Sequence, residues 1–422
     1  MSVIVQKFGG TSVADADRIR NVAARVVSTV AEGNQVVAVV SAMGTSTEDL
    51  RRLAAGVSTR PPPRELDMLL SSGERISMAL VAMAIDALGY KAESFTGSQA
   101  GIITDALHGS ARIADVRPTR ILQALERGTI PIIAGFQGVS EDTLDITTLG
   151  KGASDLTAIA LAAALKAKVC EIYTDVDGVY SADPRLEAKA RKLHAVSYEE
   201  MLEMAATGAK VLQARSVELA RNERVLVHVR SSFEDAEGTF VRKEDARMME
   251  KAIISAVTHD ATESKLTLVA VPDRPGVAAS VFRPLADVGV NVDMITQNVS
   301  HDGRTDISFT VPRLELDRAT EAMEAIARKV GAEGFTRDDD IARVSLIGAG
   351  MKSHPGVAAD MFEALADAGV NIEMISTSTI RVSCVIREHQ VDDAVRAIHE
   401  RFKLSDEVVL RAEHPEEEES SD

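Results

Sequence analysis

The stretch VQKFGGTSVADADR, residues 5–18, decides the fold of the first half of the chain. An apolar strand, SVIVQKF at 2–8, runs into two glycines and two hydroxyl residues, and apolar residues at helical spacing follow between 19 and 30. A glycine then precedes a second apolar strand at 35–41. This pattern predicts a β-α-β unit with a glycine-rich turn at the end of its first strand.

The same pattern continues beyond this unit. Apolar strands recur at 130–135 (IPIIAG) and 169–174 (VCEIYT), and amphipathic or alanine-rich helical segments separate them. Apolar strands that alternate with helices are typical of a parallel sheet covered on both faces. We therefore expect an α/β sandwich over about the first 245 residues, with RPPPRE at 60–65 as an extended connection.

An internal repeat follows a charged stretch at 242–251. PGVAASVFRPLADVGVNVDMI at 275–295 matches PGVAADMFEALADAGVNIEMI at 355–375 in 14 of 21 positions. Each copy follows an apolar strand, opens its helix with Pro-Gly, and closes it with Gly before an Asn-led strand. The repeat predicts two small βαββαβ modules. In the first copy Pro284 replaces an alanine of the second, so we expect a kinked or short helix there.

Composition limits the classes of function. The 47 basic and 64 acidic residues give a net charge of −17, which argues against general nucleic-acid binding. Cys170 and Cys384 both lie in apolar stretches, which favours buried thiols in a reducing cytoplasm over a disulfide. We expect no secretory leader and no membrane span, because the apolar stretches fall short of about 20 residues. The acidic residues 413–422 predict a disordered tail.

Lys7, Gly9 and Gly10 form a candidate phosphate site. Two glycines bring backbone N–H groups close to an anion at a following helix N-terminus, and the lysine adds a mobile positive charge. Glycines that only shape a turn remain an alternative. The chain has neither a Walker A loop nor a GxGxxG after a strand, since its single Gly-Lys pair, Gly150-Lys151, is followed by glycine.

Two later loops also carry polar residues at strand ends. In TTLGKGASDLTAIAL, 147–161, Ser154 is expected to cap a helix that has Asp155 in its first turn. In YTDVDGVYSADPR, 173–185, three aspartates leave a strand. This is not a calcium loop, because Tyr180 and Leu186 stand where glycine and glutamate are required. Solvated turn carboxylates remain the alternative interpretation for these aspartates.

Taken in order, these motifs resemble the aspartokinase branch of the amino acid kinase family. They are KFGGTS, VSAMGTST at 40–47, SSGERIS at 71–77, AGFQG at 134–138, LGKGASD, TDVDGVYSADPR and GAKVL at 208–212. The paired repeats resemble the ACT regulatory modules that follow this kinase domain. The resemblance covers nearly the whole chain apart from the tail.

The resemblance implies an α/β fold and a division into domains. The fold is an amino-acid-kinase-type three-layer sandwich with a mostly parallel central sheet, followed by two ferredoxin-like ACT modules. The implied limits are 1–245 for the catalytic domain, 246–263 for a linker and shared strand, 264–340 and 341–412 for the ACT domains, and 413–422 for the tail.

The implied activity is transfer of the γ-phosphoryl group of MgATP to the β-carboxylate of L-aspartate, giving 4-phospho-L-aspartate on the route to lysine, threonine, methionine or diaminopimelate. A carboxylate is already ionised at neutral pH, so the reaction needs alignment and charge neutralisation but no general base. By resemblance, Lys7 stabilises charge on the transferred group, Asp155 organises Lys7 or the metal, and Glu74 meets the substrate ammonium.

The resemblance assigns further binding residues. For ATP they are Lys7, Phe8, Gly9, Gly10, Thr174, Asp175, Tyr180, Asp183, Arg185 and Lys210. For the amino acid they are Ser41, Thr45, Thr47, Glu74, Lys151, Gly152, Ala153 and Ser154. ATP and Mg²⁺ are the implied cofactors, and no cluster of protein side chains is assigned to a metal.

One departure from the family pattern affects the substrate. The family usually reads LGRGGSD, whereas this chain reads LGKGASD, so Lys151 keeps the positive charge without the two-donor fork of arginine. Ala153 also adds a methyl group where backbones approach closely. The chain is therefore an ordinary aspartokinase that tolerates lysine, or a kinase for an aspartate analogue or another amino acid. A non-catalytic amino-acid sensor is the remaining alternative.

The resemblance also implies regulation and assembly. ACT modules of aspartokinases pair across subunits and bind lysine, threonine or both, although modules that only dimerise are the alternative. The implied effector contacts are Asp273, Gly276, Val277, Ala278, Asn291, Val292, Asp293, Gln297, Asn371 and Ile372. Thr379 stands where relatives often carry glutamate, which leaves the effector open. Met248-Met249 lies where relatives sometimes start a shorter regulatory chain.

Overall fold

The computed structural model describes residues 2–150, 152–243, 253–298, 303–349, 351, 354 and 356–406. Within these ranges the strands form one sheet of eight strands and three sheets of four. The predictions for Lys151, for Met248-Met249 and for the tail at 413–422 lie outside the described residues.

The amino-terminal half alternates strands with helices. In chain order its strands are β1 (Val3–Phe8), β2 (Gln35–Val40), β3 (Ala92–Phe95), β4 (Ile102–Thr104), β5 (Ile113–Val116), β6 (Ile130–Ala134), β7 (Gln137–Ser140), β8 (Ile146–Thr148), β9 (Val169–Thr174), β10 (Ala195–Ser197), β11 (Val227–Ser231) and β12 (Thr239–Arg242). Its helices are α1 (Ala16–Ala31), α2 (Ser46–Val57), α3 (Pro63–Leu70), α4 (Ser72–Asp86), α5 (Thr119–Glu126), α6 (Ser154–Ala164), α7 (Tyr198–Ala206) and α8 (Ala214–Glu223).

The eight-stranded sheet has the order β10-β12-β11-β9-β1-β2-β6-β3, and its pairs are parallel except for β11 with β12. Apolar residues of α1 and α4 cover one face, and those of α5, α6, α7 and α8 cover the other. The predicted three-layer α/β sandwich is confirmed. A smaller sheet of order β5-β4-β7-β8 lies beside it and leads into α6.

Helices α3 and α4 together run from Pro63 to Asp86, and these 24 residues are long and apolar enough to cross a membrane by length and composition alone. In the fold, α4 packs against α1, β3 and β6, the position of a core helix of the amino-terminal half. The expectation that every apolar stretch is too short for a span was therefore wrong for this pair. Pro63 begins α3, so only the start of RPPPRE is extended.

The carboxyl-terminal half forms two small modules, each a four-stranded sheet with two helices. Its strands are β13 (Ile253–Asp260), β14 (Glu263–Pro272), β15 (Ile295–Gln297), β16 (Arg304–Pro312), β17 (Gly334–Asp338), β18 (Ile341–Ala349), β19 (Met374–Thr377) and β20 (Arg381–Arg387). Its helices are α9 (Val277–Asp287), α10 (Leu316–Val330), α11 (Val357–Asp367) and α12 (Val391–Arg401).

The two modules differ in the source of one strand. The first sheet has the order β15-β16-β14-β17 and completes the predicted βαββαβ pattern from its own segment. The second has the order β13-β18-β20-β19, so its edge strand β13 comes from before the first module. The second module is therefore completed by a strand that precedes the first module in the chain.

Two local expectations were wrong: a shortened helix at Pro284, which was one of two alternatives there, and a side-chain cap at Ser154. Helix α9 continues through Pro284 and spans 11 residues, as α11 does, so the proline does not shorten it. Helix α6 begins at Ser154 after Ala153 in the N-cap position, and no side chain caps it by a hydrogen bond. Asp155 does occupy the first turn of α6, as predicted.

Candidate functional site

Several loops meet at one edge of the eight-stranded sheet, which we call the carboxyl edge because β1, β2, β6, β9 and β11 all end there. Backbone hydrogen bonds join the loops: Ser41 N–H donates to Phe8 at 3.1 Å and Gly135 N–H to Val40 at 3.0 Å. In open parallel sheets, ligands bind at such an edge where the strand order reverses. Here that point lies at β1, with β2 on one side and β9 on the other.

Lys7 and Asp155 form a buried ion pair at this point. Lys7 Nζ lies 2.6 Å from Asp155 Oδ1, and the two side chains are 11 % and 9 % exposed. Lys7 comes from the end of β1 and Asp155 from the first turn of α6, where the helix dipole favours a negative charge. The pair fixes an ammonium group at the carboxyl edge.

The glycines after Lys7 bring two loops into contact. A Cβ on Gly10 would lie 2.8 Å from the carbonyl oxygen of Ala42, and Gly44 N–H donates to the Gly10 carbonyl at 3.0 Å. Any side chain at position 10 would push these loops apart. Gly10–Val13 forms a 3₁₀ turn, and α1 starts only at Ala16. The helix that was expected to follow the glycines is α1, but its N-terminus is separated from them by the 3₁₀ turn.

Glu74 lies in the first turn of α4 beside these loops and is only 3 % exposed. We call Glu74 together with the loop after β2 the Glu74 pocket. Its Oε1 accepts a hydrogen bond from Ala42 N–H at 3.2 Å, whereas Oε2 is buried without a hydrogen-bond partner among the described atoms. Burial raises the pKa of Glu74 to about 7, and backbone hydrogen bonds oppose this rise. A buried carboxylate oxygen with no partner is suited to receive a cationic group of a ligand.

Three other residues assigned to the amino acid lie in the loop after β2 or in the first turn of α2. Ser41 follows β2, and its carbonyl accepts from Ser77 Oγ at 2.6 Å. Thr45 precedes α2 and donates to Asp49 at 3.0 Å, while Thr47 lies in the first turn of α2. Thr45 is exposed and already bonded, so it is the least enclosed of the group.

The LGKGASD loop, 149–155, is held from two directions. Arg215 on α8 donates to the carbonyls of Leu149 at 2.8 Å and Ala111 at 3.1 Å. The methyl group of Ala153 is fully buried in an apolar cluster with Leu149 and others, so it packs inward. The departure at Ala153 is therefore accommodated by the core.

A second support of this loop was not found from the sequence. Asp67 on α3 is 1 % exposed and accepts from Thr148 Oγ1 at 2.5 Å and from Gly109 N–H at 3.1 Å. His108 Nδ1 lies 2.8 Å from its other oxygen. The only sequence signal was an acidic residue on the apolar face of α3, at an amphipathic position otherwise filled by leucine.

A cleft of about 770 Å³ opens on the other side of β1. Its lining residues are 174–180, 182–185, 208–211, Ser231, Phe233, Glu234 and 257–262. Thr174, Asp175, Tyr180, Asp183, Arg185 and Lys210, which the sequence grouped together, all lie in it. We call 174–185 the β9 loop and this space the large cleft.

Polar contacts shape the β9 loop. Tyr180 Oη donates to Asp177 at 2.7 Å, and Lys192 donates to the second oxygen of Asp177 at 3.0 Å. Arg185 donates to Asp183 through its backbone N–H and its guanidinium, which holds the pKa of Asp183 below its usual range. Both carboxylates and cationic side chains therefore lie at the rim of the cleft.

Sequence reasoning missed two groups of lining residues. Phe233 and Glu234 follow β11, and the rule that parallel strands end at one edge would have found them. Residues 257–262 belong to β13 and the turn after it, which is part of the second small module's sheet. No local motif marks them, because their place depends on the pairing of β13 with β18.

The residues assigned to effectors lie on the small modules. Arg274, Gly276, Val277, Ser280 and Lys329 surround a hollow of about 430 Å³ at the start of α9. The side chain of Val277 packs into the module core, so only its backbone faces outward. The remaining assigned residues, Asp273, Ala278, Asn291, Val292, Asp293, Gln297, Asn371 and Ile372, lie on or beside α9, β15 and β19.

Two of these residues already have partners. Asn291 N–H donates to Glu315 at 2.7 Å, and the carboxylate of Asp293 pairs with Arg343. Thr379, between β19 and β20, is exposed, and its neighbour Ser378 donates to Glu203 of α7 at 3.1 Å. The β19–β20 turn therefore contacts the amino-terminal half.

Comparison with known proteins identifies the family. The family model described as the amino acid kinase family matches residues 2–231, and two models described as the ACT domain match residues 265–328 and 344–402. The aspartokinase of Mycolicibacterium smegmatis is 58% identical over 418 residues, which are 98% of this chain and 99% of that protein. The chain belongs to the aspartokinase family. It is therefore an ATP-dependent phosphotransferase with a carboxyl acceptor.

Other members agree with this assignment. The aspartokinase of Corynebacterium glutamicum is 55% identical over 418 residues, again 98% of this chain and 99% of that protein. The structure of E. coli aspartokinase III in complex with aspartate and ADP has 25% identity and a TM-score of 0.79, and covers 94% of this chain and 99% of that one. The same enzyme in complex with lysine and aspartate gives 25% identity and a TM-score of 0.72, over 95% and 99% of the two chains.

Proposed function

We propose that this enzyme transfers the γ-phosphoryl group of MgATP to the β-carboxylate of L-aspartate and releases 4-phospho-L-aspartate and ADP. The observation that carries the proposal is the place of the Lys7–Asp155 pair, between the Glu74 pocket on one side of β1 and the large cleft on the other. The Lys7 ammonium then lies between the proposed site of the phosphoryl acceptor and the proposed site of the phosphoryl donor. E. coli aspartokinase III, solved with aspartate and ADP, supports the choice of ligands.

Lys7 neutralises the charge that develops on the transferred phosphoryl group, with the amide of Gly10 beside it, since the Gly9 N–H already donates to the Tyr173 carbonyl at 3.2 Å. A Cβ on Gly9 would lie in ordinary van der Waals contact with Lys7 Nζ, at 3.6 Å, whereas a Cβ on Gly10 would lie only 2.8 Å from the Ala42 carbonyl oxygen, so position 10 is the one that requires glycine. Asp155 keeps the ammonium aimed at the carboxyl edge. Catalysis then consists of alignment and electrostatic stabilisation, since an ionised carboxylate needs no proton removed.

The acceptor binds with its ammonium at Glu74. The unpartnered Oε2 of Glu74 receives the ammonium, and Ser41, Thr45 and Thr47 border the same pocket. Lys151 pairs with the α-carboxylate of the substrate, within the loop that Gly152, Ala153 and Ser154 continue into α6. This places the β-carboxylate toward Lys7.

The nucleotide occupies the large cleft. Thr174 and Asp175 at the end of β9 lie one strand away from Phe8, so phosphates placed there reach Lys7. Tyr180, Asp183, Arg185 and Lys210 line the rest of the space, which is large enough for a nucleoside triphosphate.

Mg²⁺ enters as the nucleotide complex. Among the described residues, no group of three or more His, Cys, Asp or Glu side chains is placed to hold a metal ion alone. Mg²⁺ typically takes one or two carboxylates together with substrate phosphates and water, and Asp155 and Asp175 are the carboxylates at the carboxyl edge that fit this need. When bound, the ion neutralises phosphate charge.

Regulation acts through the ACT modules, which also join copies of the chain. We place lysine, threonine or both at the assigned residues around the hollow at α9, where free amides suit a carboxylate. E. coli aspartokinase III, solved with lysine and aspartate, supports an amino-acid effector. Enzyme activity that does not change across millimolar lysine and threonine, singly and together, would reject this.

We also place the enzyme in the cytoplasm as a homo-oligomer, with a shorter chain that starts at Met248-Met249 as a partner subunit.

A substrate panel tests the function. Purified enzyme, MgATP and hydroxylamine are incubated with L-aspartate, L-glutamate and aspartate analogues, and the hydroxamate of each acyl phosphate is measured. We expect the highest kcat/KM with L-aspartate. Hydroxamate from an analogue but none from L-aspartate would replace the proposed substrate, and no acid-dependent ATP consumption would favour a sensor.

A further inference from the structure

The β9 loop is packed into the second ACT module of the same chain. The side chain of Ala182 is 4 % exposed and belongs to the apolar core of that module, together with residues of β18, β20 and α12. Leu186, one residue beyond the loop, packs against the same core. A loop that lines the large cleft is therefore also part of a regulatory domain.

A buried hydrogen bond joins the same two units. Ser181 is the one residue between 174 and 185 that does not line the cleft, and its Oγ lies 3.0 Å from Nε2 of His399 on α12. Both residues are buried, at 0 % and 2 % exposure. Ser181 Oγ accepts from Arg191 N–H at 2.8 Å, so its own hydrogen is free to go to His399. Burial lowers the pKa of His399, which favours the neutral ring that can accept it.

The second cleft loop, 208–211, is held by the same module. Arg343 on β18 is 1 % exposed and donates to the carbonyl of Ala206 at the end of α7, at 2.9 Å. It also pairs with Glu263 at 3.0 Å and with Asp293 of the first module. Gly208 lies two residues further along the chain, and a Cβ there would lie 1.9 Å from the carbonyl oxygen of His259. The backbone at Gly208 therefore lies in close contact with the end of β13.

We propose that His399 and Arg343 are positioning residues for the nucleotide, through which the second ACT module sets the shape of the large cleft. Neither side chain lines the cleft; each fixes a loop that does. The inference rests on the proposed place of ATP in that cleft. It predicts that disturbing either contact weakens MgATP binding, while the aspartate pocket on the far side of β1 keeps its affinity.

Variants at His399 test this with the full-length enzyme. His399→Leu removes the acceptor, and we expect the KM for MgATP to rise about fivefold or more, with the KM for L-aspartate within about twofold. His399→Gln restores an acceptor, so its KM for MgATP returns close to the parent value. Arg401→Met on the same helix is the matched control, because Arg401 is paired with Asp360 and Glu363 inside the module.

Three further variants keep every result informative. Ser181→Ala breaks the same hydrogen bond from the catalytic side and is the substitute if His399→Leu does not fold. Arg343→Lys loses the bond to Ala206 and is expected to raise the same KM. Lys210→Ala alters the cleft itself: if it leaves the KM for MgATP unchanged, the proposed nucleotide site fails. If Lys210→Ala raises that KM and the His399 and Ser181 variants do not, the positioning role alone is overturned.

Discussion

Lys7 and Asp155, from the first strand and the sixth helix, form a buried ion pair with 2.6 Å between Nζ and Oδ1. The pair explains why a lysine is tolerated at the end of a central strand, where an unpaired ammonium would be costly. It also defines where negative charge is stabilised during transfer.

Asp155→Asn removes the partner of Lys7 and leaves its side chain similar in size. We expect kcat to fall about tenfold or more, because the ammonium is no longer held at the carboxyl edge. Steady-state kinetics measure the change, with Asp142→Asn at an exposed position as the control. An Asp155→Asn enzyme with the parent kcat would show that the pair is only structural.

Glu74 makes aspartate use depend on pH. Burial raises the pKa of Glu74 to about 7, so the carboxyl group is mostly protonated below that pH in the free enzyme. Since the substrate ammonium needs the ionised form, kcat/KM for L-aspartate should fall about tenfold per pH unit below 7. Glu74→Gln should give a low value with little dependence on pH over 5.5–8.5, and the parent profile in this variant would contradict the role.

The same group predicts an effect on stability. A carboxyl group whose pKa is raised by folding stabilises the fold below its usual pKa of about 4.5, and this contribution is lost as pH rises through about 7. At pH 8 the free energy of unfolding of Glu74→Gln should therefore exceed that of the parent by up to about 3 kcal/mol. At pH 5 the difference should be small. Urea unfolding at both pH values measures it, and equal differences at both would exclude a buried ionised Glu74.

Asp67 on α3 supports the LGKGASD loop through hydrogen bonds to the segments beside it. Asp67→Asn weakens its bonds to Thr148, Gly109 and His108, so we expect a loss of about 2–3 kcal/mol in the free energy of unfolding. Because the loop leads to Lys151, the KM for L-aspartate should rise more than the KM for MgATP. Asp86→Asn, at an exposed position on α4, is the control. Equal increases in the two KM values would indicate general damage.

Local sequence patterns predicted the elements that depend on neighbouring residues. The apolar strands at 2–8, 35–41, 130–135 and 169–174 all appear within a residue or so of their expected bounds, because their burial on both faces leaves a clear signal. The two ACT modules followed from the repeat. The domain limits and the roles of the site residues stay predictions.

Long-range pairing explains what the sequence did not reveal. The incorporation of β13 into the second module, the Asp67 contacts and the His399–Ser181 bond each join residues distant in the chain. The cap expected at Ser154 failed for another reason: Ala153 takes the N-cap position, and Ser154 starts the helix close against Gly135. A Cβ at position 135 would lie 2.7 Å from Ser154 Oγ, so tertiary packing decides the register there.

The central claim is that the Lys7 ammonium stabilises the phosphoryl group as it passes to the acceptor. The most direct measurement is the rate of phosphoryl transfer from MgATP to L-aspartate by Lys7→Met, with the folded state of the variant verified by circular dichroism. The account predicts a fall in kcat of about a hundredfold to a thousandfold, the usual effect of removing one such stabilising group. A folded Lys7→Met enzyme with kcat within about twofold of the parent would contradict it.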